Sequence, residues 1–333
     1  MDPVLSYSFS EVNVKVECNG FELAEKVSVA MDDFFYRGNG LSAPGFSHIT
    51  VMFENNYSSF KVPKSVRKFV SSPFLDIFKD ENFYYLMRKD AVSQLDLSSN
   101  TAIVRTDTSF WEKTAKSRQE FLMLSLLWLL HRHGLYALHA NGLVKDHVGI
   151  LLAGSSGSGK STTSLSLIRQ GWNYLSDDVI LLKETSNGIK SIAFQKGVSF
   201  DPKLADHYPE LNEYGKSSMN GQKRFLDITS IYPDRFIYSS LPKLLIFPEV
   251  TDYKKTSLFP IWGAEALIML IKNSGGIMVD KKIAGRQLEI LKKLISQTKS
   301  YRILLGHDLS ERPETISGIL AGIEDDAREK VIN

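Results

Sequence analysis

The segment at residues 154–162, Gly-Ser-Ser-Gly-Ser-Gly-Lys-Ser-Thr, constrains this chain more than any other feature of it. It fits the pattern G-x-x-x-x-G-K-[ST], in which glycines let the backbone wrap around phosphate groups with its N–H groups pointing inward. An apolar run of strand type, residues 148–153, precedes the segment. Residues 162–170 are predicted to be helical, with Gly171 ending the helix. This strand–loop–helix order predicts a nucleotide site at a helix N-terminus, where the helix dipole favours an anion.

The pattern predicts a binding role for the whole segment. Lys160 is expected to reach the outer phosphates, and the Ser161 hydroxyl is expected to contact Mg²⁺. The predicted nucleotide-binding residues are Gly154, Ser155, Ser156, Gly157, Ser158, Gly159, Lys160, Ser161 and Thr162.

The composition is that of an ordinary globular protein and excludes several classes. The chain has 333 residues, enough for one large or two ordinary domains, and 43% of them are apolar. A net charge of +2 implies no strong attraction to nucleic acid or to a membrane surface. Cys18 is the only cysteine, which excludes an intramolecular disulfide and suits a reducing compartment. With no signal peptide and no apolar run of about 20 residues, the sequence predicts a cytoplasmic protein.

Two domains are expected, at residues 1–112 and 113–333. The first is predicted to be β-rich, because residues 12–16 and 48–53 alternate between apolar and polar. Three short runs separated by turns predict an antiparallel meander in the same domain, at residues 83–87, 91–97 and 101–105. The second domain is predicted to be α/β, with helices at 113–133, 264–272, 282–298 and 313–323. Strands are predicted at 136–138, 179–182, 244–247 and 301–305, and a strand-turn-strand at 142–153.

Two adjacent carboxylates are candidates for the chemistry beside the phosphates. Asp177 and Asp178 follow Lys160 by only 17 and 18 residues, just before a predicted strand. One would suit Mg²⁺, and the other would suit a general base that takes a proton from an acceptor hydroxyl. The alternative is a polar turn before a strand. His139 precedes the strand pair that leads to the loop, and its spacing alone fits a structural histidine as well as a site residue.

Phosphoryl transfer also needs cations, because negative charge develops on the transferred group. Lys223 and Arg224 are the candidates to close on the phosphates, and Lys196 is a further one. Ordinary surface charge is the alternative for all three.

These motifs together resemble the catalytic domain of HPr kinase/phosphorylase. The resemblance covers roughly residues 135–185 and rests on the run Leu-His-Ala-Asn-Gly at 138–142, the loop, and the two aspartates. In that family a histidine precedes the loop, and two aspartates follow its lysine, at the intervals found here. The resemblance implies an α/β C-terminal HPr-kinase-like P-loop domain with a central mixed sheet, preceded by a β-rich N-terminal domain.

The resemblance also implies an activity and a role for each residue. The family uses ATP and Mg²⁺ to phosphorylate a serine hydroxyl on a protein. Carried over, Asp177 would be the base near the acceptor hydroxyl, and Lys160 would contact the β- and γ-phosphates. Asp178 and Ser161 would serve the metal, and His139 would line the site close to Asp177.

The chain looks still more like the HPr-kinase-like proteins encoded with ribosomal peptide clusters. Ser155 stands where HPr kinases carry an acidic residue. The helix before the histidine, the phrase at residues 171–178 and the ending at 301–308 all look like that group, some of whose members phosphorylate a serine of a lasso-type precursor peptide. The prediction is therefore a kinase that acts on a serine of a peptide or protein.

Other functions stay open at this point. A kinase on a small-molecule hydroxyl would have the same site chemistry, and a nucleotide-binding regulator or ATPase would lack an acceptor. A carboxykinase is more remote, because it must also bind a keto acid and a second metal.

The expected partners are a nucleotide and a serine-bearing acceptor, without nucleic acid or membrane. Because relatives can be hexameric, a homo-oligomer is also considered.

Overall fold

The computed structural model describes residues 2–32, 35, 47–80, 83–214, 216–217, 224–274 and 280–328. The chain divides into two compact units, Met1–Leu135 and Tyr136–Asn333. The division falls after Leu135 rather than after residue 112, where the sequence places it. The reason is the helix Ala115–Leu130, which packs on the first unit: the ring of Trp128 lies 4.4 Å from that of Tyr84, centroid to centroid.

In the part of the first unit that the structure describes, the strands form one eight-stranded sheet, in the order β1-β2-β3-β8-β7-β6-β5-β4. Strand β3 is parallel to both of its neighbours, β2 and β8, whereas the other paired neighbours are antiparallel. The predicted meander is confirmed as β6, β7 and β8. The elements are β1 (Val4–Phe9), β2 (Val12–Cys18), α1 (Phe21–Asp32), β3 (Ser47–Glu54), β4 (Arg67–Ser71), β5 (Asp76–Lys79), β6 (Phe83–Met87), β7 (Ala91–Asp96), β8 (Thr101–Thr106), α2 (Thr108–Trp111) and α3 (Ala115–Leu130), with short 3₁₀ turns at Tyr57–Ser59 and His131–His133.

Helix α1 is an addition to the strands that the sequence predicts for this region. It buries one stripe with the spacing i, i+1, i+4, i+7, i+8, which lies on one face of a helix: Leu23, Ala24, Val27, Ala30 and Met31. Helix α3 is confirmed and begins at a cap, since the Thr114 side chain accepts a hydrogen bond from the Ser117 N–H.

The described residues of the second unit form three sheets. The largest is six-stranded and mixed, in the order β12-β10-β11-β19-β21-β20, and β19 is parallel to both β11 and β21. The smaller sheets have the orders β18-β14-β13-β9 and β15-β17-β16. The strands are β9 (Leu135–Leu138), β10 (Ala140–Lys145), β11 (Val148–Ala153), β12 (Asn173–Ser176), β13 (Ile180–Thr185), β14 (Gly188–Ala193), β15 (Gly197–Phe200), β16 (Lys216–Ser217), β17 (Arg224–Asp227), β18 (Ser239–Ser240), β19 (Pro242–Val250), β20 (Ser257–Pro260) and β21 (Lys299–Leu305).

Helices cover both faces of the six-stranded sheet, which explains the continuous apolar run of β11. Ile150 and Leu152 of β11 pack with α4 and α10, whereas Leu151 packs with α7 and α8. The predicted α/β character of this region, with a central mixed sheet, is confirmed. The helices are α4 (Lys160–Arg169), α5 (Glu210–Tyr214), α6 (Ile228–Ile231), α7 (Gly263–Lys272), α8 (Lys281–Gln297), α9 (His307–Glu311) and α10 (Thr315–Arg328), with 3₁₀ turns at Pro202–Asp206 and Pro233–Arg235.

None of the helices in the described part of the chain is both long and apolar enough to cross a membrane.

Candidate active site

The loop at residues 154–159 joins β11 to α4 and favours glycine at positions 157 and 159, where φ is positive. Gly159 caps α4 with a φ of 96°, in the left-handed region, and a Cβ there would lie 2.4 Å from Leu305 Cδ1. A Cβ on Gly154 would lie 2.6 Å from the Ser158 hydroxyl oxygen. The first N–H groups of α4 have no partner within the helix, so this end of the helix can bind an anion.

Lys160 is held at the loop by its ammonium group. The side chain is buried, and Nζ donates to the carbonyl oxygens of Gly154 at 2.7 Å and Ser155 at 3.1 Å. Nζ also lies 2.9 Å from His139 Nε2. Because an ammonium group only donates, His139 accepts through Nε2 and carries its proton on Nδ1 in this contact. Lys160 and His139, which the sequence separates by 21 residues, therefore meet in one site.

Asp177 is the buried carboxylate of the site. Only 1% of the residue is exposed; Ser161 Oγ donates to its Oδ1 at 3.1 Å, and the Ser199 N–H donates to its Oδ2 at 3.0 Å. Burial, followed by the charge of Asp178, raises the pKa of this carboxyl from 3.8 to about 7, against the hydrogen bonds from Ser199 and Ser161 and the charge of Lys160. A carboxyl with such a pKa can exchange a proton near neutral pH.

Asp178 lies at the centre of a tight turn. Its φ is +59°, and the Val179 N–H donates to the Asp177 carbonyl at 2.6 Å, which closes a three-residue γ-turn. The Asp178 side chain is 42% exposed, and its Oδ1 lies 4.0 Å from His139 Nε2. The turn therefore places two adjacent carboxylates in different environments, one buried and one open to solvent.

The pairing of these side chains differs from the one that the resemblance implies. The hydroxyl of Ser161 contacts Asp177, whereas the resemblance groups Ser161 with Asp178. His139 Nε2 lies 4.0 Å from Asp178 Oδ1, and its place close to Asp177 stays a prediction. The γ-turn is the physical reason, since it directs the two consecutive carboxylates apart.

The residues present fit a magnesium ion bound together with a nucleotide. Within the described ranges, no group of three or more His, Cys, Asp and Glu side chains could hold a metal by itself. Mg²⁺ in nucleotide sites takes one or two carboxylates, keeps several waters and completes its octahedron with phosphate oxygens. Ser161 and the two aspartates supply oxygen donors of that kind.

Two of the predicted cations have polar partners among the described residues, and the third lies outside them. Lys223 falls outside them. Arg224 is the first residue of β17, and its Nη1 donates to Asn212 Oδ1 at 2.8 Å. Lys196 Nζ lies 3.2 Å from Asp227 Oδ2. A role for Lys223 and Arg224 at the phosphates remains a prediction.

Two groups join the site without a role predicted from the sequence. One is the Ser199 N–H, a backbone donor that no side-chain pattern announces. The other is Asn141, which is fully buried on β10 and bonded to the Asp178 N–H through Oδ1 at 3.1 Å. The sequence signal that could have identified Asn141 as a residue of the site is its polar amide within the otherwise apolar run around His139.

The fold and the site bring together a strand–loop–helix, a buried lysine and two adjacent aspartates. No protein-family model matches the sequence. A stretch of 68 residues is 35% identical to HPr kinase/phosphorylase of Exiguobacterium sibiricum, and it spans 20% of this chain and 20% of that relative. The chain aligns with the Hpr(Ser) kinase/phosphatase of Coxiella burnetii with a TM-score of 0.31 and 18% identity, over 59% of this chain and 99% of that chain.

Proposed function

We propose that this protein is an ATP- and Mg²⁺-dependent kinase that transfers the γ-phosphoryl group to a serine hydroxyl of a peptide or protein. One observation carries the proposal: Asp177 is buried against Ser161 at the start of α4, with a pKa of about 7. The partial similarity to HPr kinase/phosphorylase supports the same reaction class.

Each residue of the site has a task in this reaction. Lys160 and the N–H groups of the loop bind the phosphate oxygens, and His139 orients the ammonium group through its Nε2. Ser161 and Asp178 would hold Mg²⁺, which would supply positive charge beside the outer phosphates. The acceptor oxygen bonds to the γ-phosphorus as the bond to the ADP oxygen breaks, and Asp177 takes the hydroxyl proton.

The acceptor that we propose is a ribosomally made precursor peptide of the lasso type. The support comes from the sequence, in the phrase at residues 171–178, the ending at 301–308 and the serine at position 155. A small-molecule hydroxyl kinase is the second candidate, because Asp177 and Lys160 would serve any hydroxyl acceptor in the same way.

The test follows label from γ-labelled ATP in a lysate of the source cell, with wild type, Lys160→Ala and Asp177→Asn. Both variants should lose transfer by at least ~10²-fold, the scale of a lost acid–base or charge-stabilising group. The control is Glu289→Gln, an exposed carboxylate on α8, which should keep wild-type activity. Acid-stable label on a peptide or protein would support the proposal. Label on a metabolite would move the acceptor to a small molecule, release as free phosphate would indicate an ATPase, and full activity of Asp177→Asn would remove its role as base.

A magnesium titration separates the roles of the two aspartates. Asp178→Asn should raise the Mg²⁺ concentration that gives half-maximal transfer, whereas Asp177→Asn should lower kcat even at saturating Mg²⁺. Because Ser161 contacts Asp177, the exchanged assignment is the alternative that the titration tests. The opposite pattern of effects would therefore make Asp177 the metal carboxylate and Asp178 the base.

A further inference from the structure

Asn141 connects two parts of the site that carry different functions. It lies on β10 with no exposed surface, and a buried amide is costly unless its donors and acceptors are satisfied. Its Nδ2 donates to Ser164 Oγ at 3.0 Å, and its Oδ1 accepts from the Asp178 N–H at 3.1 Å. Ser164 lies one helical turn after Lys160 on α4, and both residues are buried. One side chain therefore joins the helix of the phosphate loop to the backbone of an aspartate.

The backbone that Asn141 holds is in an unfavourable conformation. An aspartate with a φ of +59° in a γ-turn costs free energy, and such strain persists only where the surroundings fix it. Ser176 fixes one side of the turn, because its hydroxyl donates to the Val179 carbonyl at 2.8 Å and accepts from the Gln195 N–H at 2.9 Å. This contact ties the turn to the segment after β14, whereas the amide of Asn141 ties it to α4.

We propose that Asn141 is a positioning residue that fixes the Asp178 carboxylate relative to helix α4. The part of this inference that concerns the metal rests on the proposed function, in which Asp178 would hold Mg²⁺. With the Asp178 N–H bonded to Asn141, the turn keeps its positive φ and the carboxylate stays on the side of His139. Without that bond the turn can relax to a negative φ, and the carboxylate then leaves the position it shares with the phosphate loop.

The first readout is hydrogen exchange of the Asp178 amide in the nucleotide-free protein. In Asn141→Ala this amide should exchange at least tenfold faster than in wild type, because it has lost its acceptor. The control is Leu143→Ala, a buried residue of the same strand whose truncation destabilises the protein without touching the turn. After correction for global stability, this control should leave the exchange of the Asp178 amide unchanged.

The second readout is calorimetric binding of Mg²⁺–ADP. Loss of a residue that orients a metal ligand typically weakens metal binding by 10- to 100-fold. We expect that loss in Asn141→Ala, and binding within twofold of wild type in Leu143→Ala. If no variant and no wild-type sample transfers phosphate but these binding differences hold, the proposed function fails and the positioning role stands.

The inference is overturned if Asn141→Ala exchanges the Asp178 amide within twofold of wild type. It is also overturned if Leu143→Ala weakens Mg²⁺–ADP binding as much as Asn141→Ala does. Should Asn141→Ala fail to fold, Ser164→Ala replaces it, since this variant keeps the acceptor and removes only the tie to α4. We expect at least threefold faster exchange of the Asp178 amide in Ser164→Ala, and an unchanged rate there would contradict the proposal.

Discussion

Replacing Gly159 with alanine should damage the site through two separate effects that the structure allows us to estimate. A non-glycine residue at a φ of 96° is strained by about 1–3 kcal/mol. The new methyl group would also lie 2.4 Å from Leu305 Cδ1, well inside van der Waals contact, and overpacking of this kind costs about 1–3 kcal/mol more. We therefore expect Gly159→Ala to lower the free energy of unfolding by about 2–6 kcal/mol in urea titrations.

Gly157→Ala is the matched control. Gly157 also has a positive φ, of 83°, but a Cβ there meets no atom within 4 Å, so it should show the backbone strain alone. A double-mutant cycle then tests the contact directly: Leu305→Ala should relieve part of the Gly159→Ala loss, with an interaction energy of about 1–2 kcal/mol. If Gly159→Ala and Gly157→Ala cost the same, and the cycle gives no interaction energy, the steric argument is wrong.

Three further predictions follow from buried titratable groups. As the pH rises from 5 to 7, the unfolding free energy of the metal- and nucleotide-free wild-type protein should fall relative to that of Asp177→Asn, by about 1.4 kcal/mol per pH unit. The folded carboxyl, with a pKa raised from 3.8 to about 7, keeps a proton that the unfolded chain has released; equal slopes in urea titrations would contradict this. Burial lowers the pKa of His131 from 6.5 to about 3, so the stability that its neutral ring contributes is present above pH 6.5 and is lost in acid. As the pH falls from 6.5 to 4.5, His131→Leu should therefore lose less unfolding free energy than wild type, and equal losses would refute this prediction. Burial raises the pKa of the Cys18 thiol from 9.0 to about 11. At pH 8 the native thiol should therefore react with a disulfide reagent about a hundredfold more slowly than the thiol of the unfolded chain. Comparable rates would show that the native protein has an accessible thiolate.

Local sequence patterns predict the parts of this protein that local physics determines. Glycine spacing around Lys160 indicates the loop, and the strand and helix on either side occur as β11 and α4. The meander of β6 to β8 follows from alternation and turn residues. Helix α1 also has a local signal, since the spacing from Leu23 to Met31 is helical, but the strands around it favour a purely β interpretation.

The contacts that organise the site come from residues far apart in the chain. The Ser199 N–H reaches Asp177 from 22 positions away, and Asn141 reaches Asp178 from 37. The environments of the two aspartates also depend on a backbone turn that their side chains do not reveal. Adjacent aspartates indicate that carboxylates are needed, but their sequence does not indicate which of them is buried.

Strand β3 has a consequence for the order in which the first unit can form. Its pairing with β8 joins Thr50 to Thr101, whereas the β7–β8 hairpin joins Asp96 to Thr101. The hairpin closes a short loop, whereas the pairing of β3 with β8 closes a much longer one. Because closing a longer loop costs more entropy, the pairing of β3 with β8 is a slow step. During synthesis β3 leaves the ribosome before β8 exists, so one of its edges stays open while four intervening strands are made. A nascent chain that stalls before residue 101 would leave that edge unpaired and able to pair with a neighbouring chain.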